Sequence, residues 1–191
     1  MNETDVIIIG AGVAGMSCAL YTSKAGLKTV VLSHGTPQLK SVDVVRNMPG
    51  IMDGISGEQW LQSLREQVLQ VGGELVDGSA TSLNLQTQPL WVVTADGTEW
   101  AAKFVVLAVN LGFELLERQG FDLSINEHVP SRKIRKVNGV GYDGKTNFSG
   151  VYVAGLLADI PSQAVIAAGQ GAYVGVQIAS EHLGKPFMWH D

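Results

Sequence analysis

Apolar and polar positions follow two different periods along this chain, and each period predicts a kind of element. The β-branched run at 6–9 predicts a buried strand over residues 5–9, and a second strand is predicted over residues 28–32. Between them, residues 14–25 have the small and apolar side chains of a packed helix, which Gly26 ends. A strand, a helix and a strand in this order form a βαβ unit, so the sequence predicts an α/β fold built on a parallel sheet.

An amphipathic helix is predicted over residues 56–71. Its apolar side chains recur every three or four residues, and Ser56 or Gly57 serves as the N-cap. Trp60 lies on the apolar face, where we interpret it as a core or interface aromatic. The other apolar positions on this face are Leu61, Leu64, Val68 and Leu69.

Short strands, two further buried strands and a final helix complete the predicted elements. The turn Asp96-Gly97 joins two short strands into a hairpin. Residues 110–149 carry little periodicity and much turn chemistry, whereas the predicted helix at 163–182 is rich in Ala and Gly and permits close backbone packing. The short strands are placed at 74–76, 80–85, 90–94 and 98–102, and the buried strands at 103–109 and 151–155.

The sequence G-x-G-x-x-G, from Gly10 to Gly15, lies between the first strand and the first helix. Gly10 allows the tight turn, Gly12 lets the backbone approach a pyrophosphate, and Gly15 lets the helix pack close to the sheet. A pyrophosphate placed there meets unsatisfied N–H groups and the positive end of the helix dipole. Because the glycines stand in a strand-turn-helix context, they predict a nucleotide site.

A second match to the same pattern runs from Gly139 to Gly144. It follows the basic stretch 132–136 instead of an apolar strand, and the turn-rich stretch 145–150 comes after it. No helical period orients a pyrophosphate there, so we predict a glycine-rich surface loop.

Composition narrows the class of protein. The chain has 191 residues, 46% of them hydrophobic and 23 of them glycine, which is enough for one domain with a sizeable core. A net charge of −5 argues against a nucleic-acid partner, which favours a basic face. No apolar run reaches the roughly 18 residues of a membrane span, and residues 1–5 lack the basic region of a signal peptide. These features predict a cytoplasmic protein without a membrane partner.

Few side chains in the sequence suggest chemistry of their own. Cys18 is the one cysteine, so a disulfide, a C-x-x-C pair and a thiolate metal site are excluded, and we interpret it as a buried small residue. Neither catalytic side chains nor a metal site is predicted, and any chemistry falls to a cofactor. The scattered histidines are His34, His128, His182 and His190.

The end of the second strand bears on the choice of nucleotide. A nicotinamide-dependent dehydrogenase usually has Asp or Glu there to hold the ribose hydroxyls. This chain has Ser33 at that position, which weakens the nicotinamide interpretation without removing it.

The order of these segments resembles the FAD-binding domain of the low-molecular-weight thioredoxin reductase family, over residues 4–110 and 148–191. In that family an NADPH-binding domain with a C-x-x-C pair follows the strand matching 103–109. Here the chain passes from Asn110 to Phe113 without that insert, so it is most similar to short, single-domain thioredoxin-reductase-related proteins. The matching segments are Gly10–Gly15, Gln38-Leu39, 47–50, 105–109, 151–155, Gln163-Ala164, 184–187 and 190–191.

The resemblance implies one domain over residues 1–191 with a Rossmann-like three-layer fold, a central parallel sheet and a small antiparallel β-meander. It also implies FAD as cofactor, with its pyrophosphate on the first glycine motif and its adenosine and ribityl parts beside the loop 33–39. Asn47 would approach the isoalloxazine, and the helix starting at Gln163 would point N–H groups at the pyrimidine edge. The implied cofactor-binding residues are Gly10, Ala11, Gly12, Val13, Ala14, Gly15, Ser33, His34, Gln38, Leu39, Asn47, Gly155, Leu156, Gln163 and Ala164.

One departure from the family concerns the ribityl chain. The family has Gly-Asp after the last strand, whereas this chain has Gly155-Leu156, and Asp159 lies three residues too late to replace the missing carboxylate. The sequence therefore retains the pyrophosphate site but lacks the usual ribityl contact.

Three functions remain open from the sequence. The first is a flavoprotein oxidoreductase that exchanges electrons with a separate donor or acceptor protein, because one cysteine cannot form a dithiol relay. The second is a flavin-binding module without turnover, and the third is a stand-alone nicotinamide-binding reductase. We also expect a homodimer, since the face left by the missing domain needs a cover, with Trp60, Phe187 and Trp189 as candidate contacts.

Overall fold

A mixed sheet forms the centre of the computed structural model, which describes residues 1–110 and 112–190. The strands are β1 Asn2–Ile9, β2 Thr29–Ser33, β3 Glu74–Asp77, β4 Ala80–Asn84, β5 Leu90–Thr94, β6 Glu99–Leu107, β7 Leu123–Ile125, β8 Arg135–Val137 and β9 Val151–Val153. The helices are α1 Val13–Lys24, α2 Gly57–Gln70, α3 Glu114–Arg118 and α4 Ala164–Leu183, and 3₁₀ turns lie at Gln38–Ser41 and Gly155–Ala158.

The sheet has the strand order β3-β2-β1-β6-β5-β4, with β9 also paired to β6. The pairs β3–β2, β2–β1, β1–β6 and β6–β9 are parallel. The pairs β4–β5 and β5–β6 are antiparallel, so β4, β5 and the first half of β6 form a meander. A separate two-stranded sheet pairs β7 with β8. The fold is therefore the predicted α/β class, with a mostly parallel central sheet and a small antiparallel part.

Strand β6 corrects the prediction of two separate strands at 98–102 and 103–109. It pairs with β1 along nearly its whole length, with β5 in its first half and with β9 in its second half. The side chain of Lys103, in the middle of the strand, is 62% exposed and donates to Asp5 Oδ1 at 2.7 Å. One continuous strand thus joins the parallel sheet to the meander.

Helices α1 and α4 pack against each other on one face of the sheet. A Cβ at Gly171 would lie 2.0 Å from Ala14 O, and a Cβ at Gly175 would lie 2.7 Å from Cys18 O, so the two backbones are in direct contact. The predicted role of the small residues in the last helix is confirmed. Because Gly171 packs on Ala14, close to the start of α1, this contact also fixes the positions of the two helices relative to each other.

Residues 112–150 contain more regular structure than the sequence predicted. They form α3 and the β7–β8 hairpin, which are too short to show a helical or strand period. The predicted strand at 151–155 ends earlier, at Val153, because Gly155 has φ +75° and begins a 3₁₀ turn.

Helix α2 and the C-terminal segment complete the core. Ser56 and Gln59 form a reciprocal capping box, which confirms Ser56 as the N-cap. Trp60 is 7% exposed and belongs to the core, so it is not available as a contact between subunits. The segment after α4 folds back onto α1, where the rings of Trp189 and Tyr21 pack in a T-shaped arrangement with centroids 5.5 Å apart.

Candidate cofactor site

A cleft of about 700 Å³ opens where the carboxyl ends of β1, β2 and β6 meet. Ile9, Leu32 and Leu107, at or next to the ends of these strands, form its floor. This edge of a parallel sheet is where nucleotides bind in α/β proteins. The N-termini of α1 and α4 reach the cleft from the same face of the sheet.

The α1 side of the cleft is built by the first glycine motif. Gly10 has φ +117°, and a Cβ there would lie 2.3 Å from Ala108 O, so only glycine makes this turn beside β6. Gly12 is the N-cap of α1, and a Cβ there would meet no atom within 4 Å. Among the described residues, no side chain caps α1 and its first turn has no acid. Its first N–H groups therefore border open space, which suits an anion.

The α4 side has the same property. Gln163 is the N-cap of α4, and within the described chain neither a side-chain cap nor an acid occupies the first turn. Asn47 Nδ2 donates to Gln163 Oε1 at 2.8 Å, which links the loop after β2 to the start of α4 across 116 positions of sequence. The two residues that the sequence placed near the same part of a flavin therefore lie together at the cleft.

The loop between β2 and α2 forms the cleft's outer wall. A Cβ at Gly57 would lie 1.7 Å from Leu39 O, so the start of α2 packs tightly on the 3₁₀ turn that carries Gln38 and Leu39. Further along, backbone hydrogen bonds pair Val45 with Ile55 and close this loop at its base. The wall is thus anchored to α2.

The turn between β9 and α4 forms the opposite wall. Gly155 and Leu156 line the cleft, and the Gly155 N–H donates to the buried side-chain oxygen of Gln170 at 2.8 Å. Asp159 does not line the cleft. Its carboxylate instead accepts from Lys136 Nζ at 2.6 Å and lies 3.8 Å from His128 Nε2, so it does not replace the missing ribityl carboxylate.

All but two of the residues that the sequence assigned to the cofactor line this cleft. The two exceptions are Gly15, which packs α1 against the turn at Gly10, and Ser33, which is paired in register with Asp77 of β3. The predicted residues that line the cleft are Gly10, Ala11, Gly12, Val13, Ala14, His34, Gln38, Leu39, Asn47, Gly155, Leu156, Gln163 and Ala164.

Sequence reasoning missed several lining residues. Segments 78–80 and 108–110 come directly after β3 and β6, so the rule that ligands bind outside the carboxyl ends of parallel strands would have found them. The apolar side chains of Val42 and Val44 carried no comparable signal, because they lie in an irregular loop.

Other functional groups lie away from the cleft. Cys18 is fully buried in α1, and burial raises the pKa of its thiol. The described residues contain no cluster of His, Cys, Asp and Glu suited to a metal ion. Nor does any helix in the described part of the chain have the length and apolarity to cross a membrane.

Comparison with known proteins agrees with this geometry. The model of the FAD binding domain family matches residues 5–87, the part that contains α1, the outer wall and β3. Thioredoxin reductase of Aquifex aeolicus is 40% identical over 106 residues, covering 54% of this chain and 33% of that protein. The bifunctional thioredoxin reductase/thioredoxin of Mycobacterium leprae is 36% identical over 119 residues, covering 61% of this chain and 26% of that protein. The chain thus spans a third or less of these relatives.

Solved structures show the same fold. A thioredoxin reductase from Gloeobacter violaceus superposes with a TM-score of 0.79 at 20% identity, and the match covers 100% of both chains. An oxidoreductase from Agrobacterium tumefaciens also gives a TM-score of 0.79, at 14% identity over 96% of this chain and 99% of that chain. The solved structures show a thioredoxin-reductase-like fold, and the family match and the curated relatives indicate that the chain binds FAD.

Proposed function

We propose that this protein is an FAD-dependent oxidoreductase that exchanges electrons with a separate redox partner. The observation that carries the proposal is the cleft between two helix N-termini that no side chain of the described chain caps. The residues that the structure describes between β6 and β9 form α3, the β7–β8 hairpin and turns, and a second nucleotide-binding βαβ unit is not among them. A single cysteine also leaves this sequence without a dithiol.

The residues of the cleft suit the parts of this cofactor. The pyrophosphate would fit the open space in front of Gly12 and accept hydrogen bonds from the first N–H groups of α1. Gln163 and Ala164 bring a second positive helix end, which stabilises negative charge on the ring system. The hydrogen bond from Asn47 to Gln163 fixes the side-chain amide at this end. Bound FAD supplies the electron-transfer chemistry, and the chain supplies binding, orientation and electrostatics.

The apolar walls perform a further task. Val44 and Leu156 line opposite sides of the cleft, and Val44 is 41% exposed there. Ligand binding covers such side chains, which gains hydrophobic free energy and excludes water from the reacting ring. Leu156 also means that the ribityl chain meets an apolar side chain where the family has a carboxylate.

Two measurements test the proposal. The purified protein should carry the visible absorption spectrum of one FAD per chain. In anaerobic stopped-flow mixing, the flavin should be bleached slowly or not at all by NADPH and NADH, but rapidly by a suitable reduced protein such as a small iron–sulfur carrier. Hydride transfer needs the nicotinamide held in contact geometry, and losing that positioning costs on the order of several kcal/mol.

The remaining outcomes of these measurements would point to different functions. Saturable bleaching by either nicotinamide within seconds would reveal a nicotinamide site and make the chain a stand-alone reductase, although Ser33 stands where such enzymes usually have an acid. A bound flavin that no protein donor reduces, but that dithionite does, would favour a flavin-binding module without turnover. A colourless protein that takes up no FAD would refute the cofactor site itself.

We further propose that the protein works as a cytoplasmic homodimer. Of the aromatic residues first considered as contacts, Phe187 and Trp189 remain partly exposed, next to Met188, which is 75% exposed. Apolar side chains exposed together favour pairing of two copies. Light scattering at micromolar concentration should give the mass of two chains, and a monomer would contradict the proposal.

A further inference from the structure

We propose that Asn126 is a positioning residue for the cofactor, acting through the turn between β9 and α4. This inference rests on the proposed FAD site. The turn begins with Gly155 and Leu156 and leads to Ser162 and Gln163, all of which line the cleft. Asn126 lies outside the cleft, in the β7–β8 hairpin connection, and its side chain is hydrogen-bonded to two carbonyls of this turn.

The hydrogen bonds of Asn126 show how it acts. Its Nδ2 donates to Leu156 O at 2.9 Å and to Ile160 O at 3.2 Å, and its Oδ1 accepts from the His128 N–H at 2.9 Å. Its backbone N–H donates to Ile134 O at 2.9 Å, which fixes the residue in the hairpin. The side chain is 0% exposed, so each of these polar atoms depends on a protein partner.

Gln170 holds the same turn from the other side. This residue of α4 is also 0% exposed. Its Oε1 accepts from the Gly155 N–H at 2.8 Å, and its Nε2 donates to Tyr142 O and Val153 O. Asn126 and Gln170 are the Asn and Gln residues that are fully buried in the described chain, and each forms at least one hydrogen bond with the turn that carries Leu156.

The local backbone explains why the turn needs such support. Gly155 and Asp159 both have positive φ, +75° and +58°, so the turn contains a non-glycine residue in the left-handed region. Such conformations persist when surrounding bonds determine them. The two carbonyls bonded to Asn126 flank Asp159, and the turn's conformation sets where Leu156 and the start of α4 meet the ligand. The geometry therefore assigns to Asn126 a role in placing the cofactor, beyond filling the core.

The decisive variant is Asn126→Asp, which has nearly the same shape. A carboxylate still accepts from the His128 N–H but donates nothing to Leu156 O and Ile160 O. We expect FAD affinity at pH 8 to fall at least about tenfold, because two buried acceptors lose their donor and face a charge. Protonation at pH 5 restores one donor, so the affinity relative to wild type should recover to within about threefold. The ionisable side chains of His128, Lys136 and Asp159 lie near this turn in both proteins, so each variant is compared with the wild type at the same pH.

Two companion variants keep the test falsifiable. Asn138→Asp weakens the other end of the same hairpin, where Asn138 bonds Asp122 and Ser124 in an exposed position, and it should leave FAD affinity unchanged. Asn126→Ala removes both donors without burying a charge, and it decides the question if Asn126→Asp fails to fold. The measurements are FAD titration by fluorescence, the visible circular dichroism of the bound flavin, and thermal unfolding without FAD.

The possible outcomes separate cleanly. Weaker affinity and an altered flavin dichroism in the Asn126 variants, with the fold intact and the Asn138 variant normal, support the positioning role. Wild-type affinity and dichroism in a folded Asn126 variant overturn it, and so does an equal loss in Asn138→Asp, which would mean general destabilisation of the hairpin. Failure of the wild-type protein itself to bind FAD would instead refute the proposed function.

Discussion

The chain contains the pattern G-x-G-x-x-G twice, and the two copies differ in the secondary structure that surrounds them. Gly10–Gly15 turns from β1 into α1 at the cleft, so its backbone N–H groups point along a helix axis into open space. Gly139–Gly144 follows the three-residue strand β8 and leads through turns to β9 without a helix. As predicted from its context, the second copy is a surface loop, apart from the buried Gly144. The glycine pattern therefore indicates a nucleotide site only where a strand precedes it and a helix follows it.

The surroundings of single glycines show which of them serve the fold. A Cβ at Gly15 would lie 2.0 Å from Gly10 O, and a Cβ at Gly144 would lie 2.3 Å from Val153 O, so both glycines are required for backbone packing. A Cβ at Gly12 meets nothing within 4 Å, and one at Gly141 meets only Asp143 Oδ1 at 3.5 Å. The protein itself has room for a side chain at either middle glycine. Gly12 lines the cleft, whereas Gly141 does not, so a side chain at Gly12 alone would occupy the cleft.

The largest expected effect comes from placing a branched side chain at each middle glycine. Gly12→Val fills the space in front of α1, so FAD affinity should fall about a hundredfold or more, which corresponds to roughly 2.7 kcal/mol or more. Gly141→Val, the matched control, should bind FAD as tightly as wild type. Titration of the two purified apoproteins with FAD makes the comparison. Full flavin content in a folded Gly12→Val protein would show that the site is wrongly assigned.

The next effect concerns stability and is expected in both copies, more strongly at Gly144, where φ of +70° also strains an alanine. Gly15→Ala and Gly144→Ala each place a Cβ against a backbone oxygen, and overpacking of this kind costs about 1–3 kcal/mol. Gly12→Ala, in open space, should cost the apoprotein less, about 1 kcal/mol or below, because alanine is a poorer N-cap than glycine. Urea denaturation of the three apoproteins measures this. A Gly15→Ala protein as stable as wild type would contradict the close packing of α1 on the turn at Gly10.

Long, strongly periodic segments were predictable from the sequence, and the reason is physical. The ends of α1 were predicted to within one residue because the glycine motif marks its start and Gly26 its end. Helix α2 was predicted together with its N-cap because burial of one face imposes a period and caps follow local chemistry. Helix α3 and the β7–β8 hairpin were not predictable, since elements of three to five residues show no period.

The site was predictable where it follows local rules. The glycine motif carries its own context, whereas Asn47 and Gln163 were assigned to the flavin through the family resemblance. The hydrogen bond between these two residues, 116 positions apart, was not predicted. The role of Asn126 had no signal in the sequence, because an asparagine in a turn-rich stretch is ordinary and its partners lie 30 and 34 positions away. Long-range hydrogen bonds between irregular segments become visible only in three dimensions.

Substitution of Cys18 can show whether this residue of α1 serves the fold alone or also takes part in electron transfer. Its thiol is fully buried, and burial raises its pKa, so the thiolate that reacts is not formed at neutral pH. Cys18→Ser should destabilise the protein by about 1–3 kcal/mol through a buried hydroxyl, with unchanged rates of flavin reduction and reoxidation. Stopped-flow absorbance and urea denaturation give the two values. A large loss of rate at unchanged stability and flavin content would mean that the thiol takes part in electron transfer.

The smallest effect contrasts a capped helix N-terminus with the two that face the cleft. In α2, the Ser56 side chain accepts from the Gln59 N–H at 3.1 Å, so the protein satisfies this helix end itself. Ser56→Ala should cost about 1 kcal/mol of stability and leave FAD affinity unchanged. Gly12→Ser should do the opposite, since a serine N-cap adds only a few tenths of a kcal/mol to α1 while its hydroxyl competes with the pyrophosphate for the same N–H groups. Thermal unfolding and FAD titration of both variants complete the test, and equal FAD affinities in the two would mean that the open end of α1 is not the anion site.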